Sequence, residues 1–115
     1  MENFKKTILE GLKNKPKEWR DGQYVFNYIN EHYDVARTVQ YIDDIDCFHN
    51  NDKIDKFIEA CYERIIGKKV ITVSDIKKYM HVIFPNTWEL PIYVNGNSVK
   101  AINFDYDKGQ LNLIT

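Results

Sequence analysis

A glycine set inside an apolar helical stripe is the feature that most restricts this chain. Trp19, Gly22, Phe26, Ile29 and Tyr33 recur at steps of three and four, which lays one apolar stripe along a helix. Gly inside a helix costs about 1 kcal/mol relative to Ala, so its place on the stripe calls for close approach of another backbone. Arg20, Gln23 and Asn27 form a polar row beside the stripe. Downstream lies an acidic loop, Ile45-Asp46-Cys47-Phe48-His49-Asn50-Asn51-Asp52. Its carboxylates and bare backbone groups suit the polar row. The expectation is a clamp in which Arg20 pairs with Asp46 or Asp52, while Gln23 and Asn27 hydrogen-bond loop backbone. A binding site is the competing reading, but buried polar rows are usually structural.

The rest of the first half reads as helix. Residues 3–14 place Phe4, Ile8, Leu9 and Leu12 on one face, with Asn3 as cap. Pro16 stops that helix and suits the first turn of the next, which ends near Tyr33. Residues 34–39 read as a turn and one or two helical turns. A further helix over about 52–66 carries Ile54, Phe57, Ile58, Cys61 and Ile65 on one side, with Asn50 or Asn51 as cap and Gly67 as stop. Val70-Ile71-Thr72-Val73 suits a short strand or a linker. Ser74 then caps a helix over 75–84 with Ile76, Tyr79, Met80 and Ile83 inward, and Pro85-Asn86 ends it.

From Leu90 the apolar period changes to two. Leu90, Ile92 and Val94, then Ile102, Phe104 and Tyr106, then Leu111 and Leu113 alternate with other residues. Asn95-Gly96-Asn97 and Asp107-Lys108-Gly109 are the turn signals between them. A two-residue Asn95-Gly96 turn pairs Ile92 with Val99 and puts Ile102 on the opposite face. An odd loop pairs Ile92 with Ile102 and keeps both inside, so the odd loop is expected. An Asp107-Lys108 turn pairs Phe104 with Leu111 and Ile102 with Leu113. The predicted fold class is α+β: about three helices, then a helix packed on a three-stranded antiparallel β-meander. The 115 residues form one compact chain, with a helical part over 1–67 and a helix-plus-meander part over 68–115. Neither part is large enough to stand as an independent domain.

Charge and cysteine content exclude several classes. A formal net charge of -1 gives no global basic field for nucleic acid. Locally the start is basic (Lys5, Lys6, Lys13, Lys15, Lys17, Arg20) and the middle acidic (Asp43, Asp44, Asp46, Asp52, Asp55, Glu59). Intramolecular pairing explains this as well as a partner does. Two cysteines make no disulfide framework, and Cys61 falls on an apolar helix face. No signal peptide is read at the start, and no run approaches the roughly 20 apolar residues of a membrane span. No membrane partner is expected, and a cytoplasmic location in a bacterial host follows by default.

The candidate chemistry is thin. Counting a calcium loop from Asp44 puts Phe48, His49 and Asp55 where an oxygen ligand, Gly and Glu are required. Cys47 and His49 lie two apart, but a thiol nucleophile needs a base, an orienting group and an oxyanion site, and none is legible. His32, His49, His81, Cys47 and Cys61 lack zinc-ligand spacing. No catalytic residue, metal or cofactor is assigned. The eight tyrosines are many for this length. Tyr28 and Tyr62 lie off the main stripes and Tyr93 points away from the packed sheet face. With Asp43 and Asp44 they make the candidate interface.

The string Arg20-Asp21-Gly22-Gln23-Tyr24-Val25-Phe26-Asn27, then Ile45-Asp46-Cys47-Phe48, then Asp52-Lys53-Ile54-Asp55-Lys56-Phe57-Ile58 resembles a pattern of short phage and prophage proteins. There it reads Arg-x-Gly-Gln-x-x-Phe-Asn, Asp-x-Phe-Tyr and Asp-x-x-Ile-x-x-Phe, with His49 standing here where Tyr is common. The resemblance covers roughly 18–60 and implies a mobile-element context without an activity. The expected function is a non-enzymatic accessory protein that binds a host or phage protein, in its sharpest form an anti-CRISPR-like inhibitor of a bacterial defence system. The alternative is a nucleic-acid-associated regulator using the N-terminal lysines with Lys68 and Lys69. Self-association through a helix face or a sheet edge is compatible with both.

Overall fold

The computed structural model describes residues 1–83 and 89–115. The chain divides into two units, Met1–Ile83 and Phe84–Thr115. The division falls after the last helix and not at Gly67, so that helix belongs with the other helices.

In the first unit, α1 (Glu2–Glu10) runs into a short 3-10 turn (Gly11–Asn14), followed by α2 (Asp21–Tyr33) and α3 (Ala36–Tyr41). A second 3-10 turn (Asn51–Lys53) leads into α4 (Ile54–Ile65), and α5 (Val73–Ile83) closes the unit. The buried core is Ile8, Val25, Phe26, Ile29, Ala36, Val39, Cys47, Phe57, Ile58 and Cys61. Each fully buried large side chain contributes about 1.5–3 kcal/mol. α2 supplies the centre of this core, flanked by α1, α3 and α4. Its buried set is Gly22, Val25, Phe26 and Ile29. Val25 takes the place that the sequence stripe gave to Trp19 and Tyr33. The Phe26 ring meets Phe48 edge-on at 5.4 Å and Phe57 at 5.7 Å.

Helix ends follow local chemistry, though not always at the expected residue. α1 starts at Glu2, so Asn3 lies inside it and accepts from Thr7 Oγ1 through its carbonyl. Pro16 sits in a turn closed by Trp19 N–H to Pro16 O, and α2 begins only at Asp21. α2 ends on Asp34 at φ 58, a left-handed cap more often taken by Gly or Asn. Asn50 caps the turn before α4 by accepting from Asp52 N–H. Gly67 stops the chain after α4 at φ 78. α5 is capped by Thr72, not Ser74: Thr72 Oγ1 accepts from Asp75 N–H at 3.1 Å and Asp75 Oδ2 from Thr72 N–H at 3.0 Å. That reciprocal pair is a capping box. Residues 70–72 form neither strand nor helix. The helix stop expected at Pro85-Asn86 lies outside the described residues.

The second unit holds β1 (Tyr93–Val94), β2 (Asn97–Ser98), β3 (Ala101–Asp105) and β4 (Gln110–Ile114). They make two separate two-stranded antiparallel sheets, β1–β2 and β3–β4. The α+β class therefore holds, and the three-stranded meander is corrected to two hairpins. The first is closed by the two-residue Asn95-Gly96 turn, with Val94 opposite Asn97 and φ of 51 and 80 at the turn residues. Such paired positive φ values match the twist of a hairpin. Val99 N–H donates to Ile92 O, so Ile92 pairs with Val99 and the odd loop is overturned. The odd loop presumed that Ile92 and Ile102 must share a buried face. Both are half or more exposed, so turn chemistry decides the register. In β3–β4, Phe104 lies opposite Leu111 and Ile102 opposite Leu113, in the expected pairing. The turn is longer than expected, spanning 106–109 with Gly109 at φ 60.

Candidate functional site

The contact between α2 and the 45–52 loop is made mainly by backbone groups. A Cβ on Gly22 would collide with the carbonyl oxygen of Cys47, so the helix and loop backbones touch. Gly22 N–H donates to Asn51 Oδ1 at 2.8 Å, and Cys47 Sγ donates to Gly22 O at 3.3 Å. One of the free N–H groups in the first turn of α2 is thus satisfied by a side chain from the loop. Arg20, just before the helix, reaches over the loop. Its Nη2 and Nε donate to Phe48 O at 2.9 and 3.3 Å, and its guanidinium lies 5.8 Å from the Phe48 ring centre.

The clamp residues fare unequally. Arg20 grips the loop, but through a carbonyl and not through Asp46 or Asp52. A guanidinium with several donors serves a bare carbonyl as readily as a carboxylate. Among the described residues, Gln23 and Asn27 make no side-chain hydrogen bond to the loop; Asn51, given only as an alternative helix cap, does that work. Asp52 contributes its N–H, to Asn50, and not its carboxylate.

Asp46 instead ties the loop to itself and to α3. Its Oδ1 accepts from Phe48 N–H at 2.9 Å and Gln40 Nε2 at 3.2 Å, and its Oδ2 from His49 Nδ1 at 2.8 Å. Partial burial alone would raise its pKa; the bonds from His49, Gln40 and Phe48 N–H outweigh it and hold the carboxyl below its ordinary value. Cys47 is fully buried. Burial, with the Asp46 charge beside it, pushes its thiol up to about 12. A thiol that keeps its proton at neutral pH is a poor nucleophile. Cys61, also fully buried, is pushed up by the same cause.

The candidate interface residues are in different surroundings. Asp43 is structural: Arg64 Nη2 reaches its Oδ1 at 2.8 Å, Nε its Oδ2 at 3.2 Å, and Lys69 its Oδ1 at 2.7 Å. The Asp43 and Arg64 side chains are only 5% and 3% exposed. Burial would raise the Asp43 pKa, but the hydrogen bonds and charges of Arg64 and Lys69 lower it below the ordinary carboxylate value. Asp44 is exposed and pairs with Lys78 of α5 at 2.8 Å. Tyr28 is half-buried and stacks on His32 at 4.1 Å, and Tyr62 packs against Phe4. Tyr93 is 61% exposed.

Sequence reasoning missed how exposed the second unit is. None of its described residues is buried. Leu90, Ile92, Tyr93, Ile102, Phe104, Tyr106 and Leu111 are all exposed, Tyr106 by 87%. Their alternation signals strands, but it does not by itself give the strands a buried face.

Several N-terminal and linker lysines are already engaged. Lys5 pairs with Asp55 at 2.9 Å, Lys15 donates to Trp19 O at 2.8 Å, and Lys69 holds Asp43. Among the described residues no helix is long and apolar enough to cross a membrane, and no group of three or more His, Cys, Asp or Glu side chains is placed to hold a metal. Comparison with known proteins returns no matching family model, no matching curated protein and no matching solved structure.

Proposed function

We propose that this protein acts by binding another protein, without catalytic chemistry of its own. Its context is that of an accessory protein from a phage or mobile element, working in the bacterial cytosol. In its sharpest form it is an inhibitor of a bacterial defence system, anti-CRISPR-like in its mode of covering a surface. The phage context rests on the resemblance over residues 18–60. The observation that carries the binding reading is the second unit's run of exposed aromatic and aliphatic side chains. Exposed apolar surface of this extent marks interaction sites, and Tyr is favoured there for its large, rigid and amphipathic ring. The polar groups that tempted a catalytic reading are engaged in holding the loop.

The test is phage plating on a defence-bearing bacterium that expresses the protein. Wild type is expected to raise plating at least tenfold, and a Tyr93→Ser, Tyr106→Ser double variant to lose that gain. No gain with wild type in strains carrying different defence systems would overturn the defence form of the reading. Among the described residues, the nucleic-acid reading keeps Lys6, Lys13 and Lys17 as exposed N-terminal lysines without an ion pair. Three charges predict weak binding with a shallow salt dependence.

A further inference from the structure

The helical unit contains a small open cleft beside the clamped loop. It measures about 180 Å³ and is lined by Phe26, Arg37, Gln40, Tyr41, Phe48 and His49. The chain has three arginines. Arg20 is bonded to Phe48 O and Arg64 to Asp43. Arg37 is exposed and, among the described residues, makes no hydrogen bond or ion pair. Its guanidinium offers five N–H donors at the cleft wall. His49 is oriented by its Nδ1 contact with Asp46 Oδ2, which leaves Nε2 without a protein partner. Tyr41 is half-buried and its hydroxyl has no protein partner either. Phe26 and Phe48, set edge-to-face, supply apolar wall.

Asp46, bonded to the cleft residues Gln40 and His49, is occupied from within. Both carboxylate oxygens of Asp46 accept hydrogen bonds from Gln40, Phe48 N–H and His49. Arg37 and the Tyr41 hydroxyl therefore supply the free donors of the cleft, beside aromatic carbon, while His49, with its Nδ1–H on Asp46, presents Nε2 as an acceptor when neutral. Size narrows the ligand further. Small-molecule and cofactor sites run to about 300–1,000 Å³, so this cleft has room for one side chain or a chain end, not a nucleotide. Arg–carboxylate pairs are strong and directional because two N–H groups meet two oxygens.

We infer that the cleft is a binding site for a carboxylate carried on an aromatic or apolar stem. Arg37 receives the carboxylate, the Tyr41 hydroxyl can donate to it, and the phenylalanine rings receive the stem. This chemistry belongs both to free aryl acids and to a peptide ending in an aromatic residue. The site is independent of the exposed tyrosines of the second unit, so its failure would leave the protein-binding proposal standing.

The test is an amide and side-chain NMR titration of the full chain with phenylacetate, benzyl alcohol and inorganic phosphate. Phenylacetate is expected to shift Phe48, His49 and the Gln40 side-chain amide saturably, with a dissociation constant in the millimolar range or tighter. Arg37→Gln is expected to weaken it at least tenfold with the melting temperature unchanged, since Arg37 is exposed. Glycyl-glycyl-phenylalanine binding more tightly than phenylacetate, and losing affinity as its C-terminal amide, supports the site with a peptide end as its ligand. Phenylacetate binding more tightly than the peptide supports it with a free acid. No saturable shift, equal binding of benzyl alcohol or phosphate, or indifference to Arg37→Gln would overturn it.

Discussion

Replacing Gly22 by Ala sets two effects of opposite sign against each other. Helix propensity alone favours Ala over Gly by about 1 kcal/mol, so a Gly kept only by chance would become a stabilising substitution. The packing says otherwise. A Cβ at Gly22 would overlap the Cys47 carbonyl oxygen, lie 2.9 Å from the Cys47 carbonyl carbon and 3.1 Å from Asn51 Oδ1. Two of these are backbone atoms, so no rotamer change relieves the clash; the loop has to move. Overpacking of this kind costs typically about 1–3 kcal/mol. Movement also loosens the Gly22 N–H to Asn51 and Cys47 Sγ to Gly22 O bonds, each contributing about 0.5–1.5 kcal/mol. With the propensity gain subtracted, Gly22→Ala destabilises by roughly 1–5 kcal/mol. For a unit of this size that lowers the melting temperature by several °C or more. Urea and thermal unfolding followed by circular dichroism read the change. Gly11→Ala is the control: there the new Cβ meets the Tyr24 hydroxyl and ring edge, a side-chain tip that can swing aside, and the backbone is ordinary αR at φ -68. Its cost is expected to stay within about 1 kcal/mol. If Gly22→Ala proves as stable as wild type, the backbone contact between α2 and the loop is not what requires glycine.

Other outcomes follow from the same contacts. Asp43→Asn leaves the buried Arg64 short of its counter-charge and is expected to cost about 3 kcal/mol or more in urea unfolding, far beyond a surface Asp44→Asn. Asp43 and Asp46 both have folded pKa values below the ordinary carboxylate value. Their stabilising contribution is therefore present above the unfolded carboxylate pKa, near 4, and is lost as pH falls through the folded values. The urea midpoint should fall between pH 5 and pH 2, and Asp43→Asn should flatten that slope. Because Cys47 and Cys61 are fully buried with raised pKa values, neither is expected to react with a thiol reagent at pH 8 in the folded protein. Both should react after denaturation, as a mass or colour count shows.

The helical half was legible because its signals are local and redundant. The stripe around Gly22, the Asn50 cap and the Gly67 stop each state a backbone need that few other residues meet. Close approach at Gly22 was readable; the partners of its neighbours were not. Arg20 was matched with carboxylates because charge is visible in a sequence, whereas the exposed carbonyl of Phe48 is created only by the loop's path. Asp43 looked like surface for the same reason: Arg64 lies 21 residues away and pairs with it only once α4 is docked. In the second unit, alternation located the strands, and the Phe104–Leu111 pairing followed from it. The error at Ile92 came from applying a buried-face rule where no described residue is buried.

The α2–loop contact keeps the fold, and on the proposed function the exposed side chains of the second unit are the ones that would meet a partner. Melting temperature and affinity for a host or phage protein captured by pull-down with the wild type, measured side by side on Arg20→Ala and on Tyr93→Ser, Tyr106→Ser, separate the two roles. Arg20→Ala is expected to melt earlier and bind as wild type once folded, while the tyrosine variant melts as wild type and binds at least tenfold more weakly. Arg20→Ala abolishing binding at an unchanged melting temperature, with the tyrosine variant binding normally, would contradict the account.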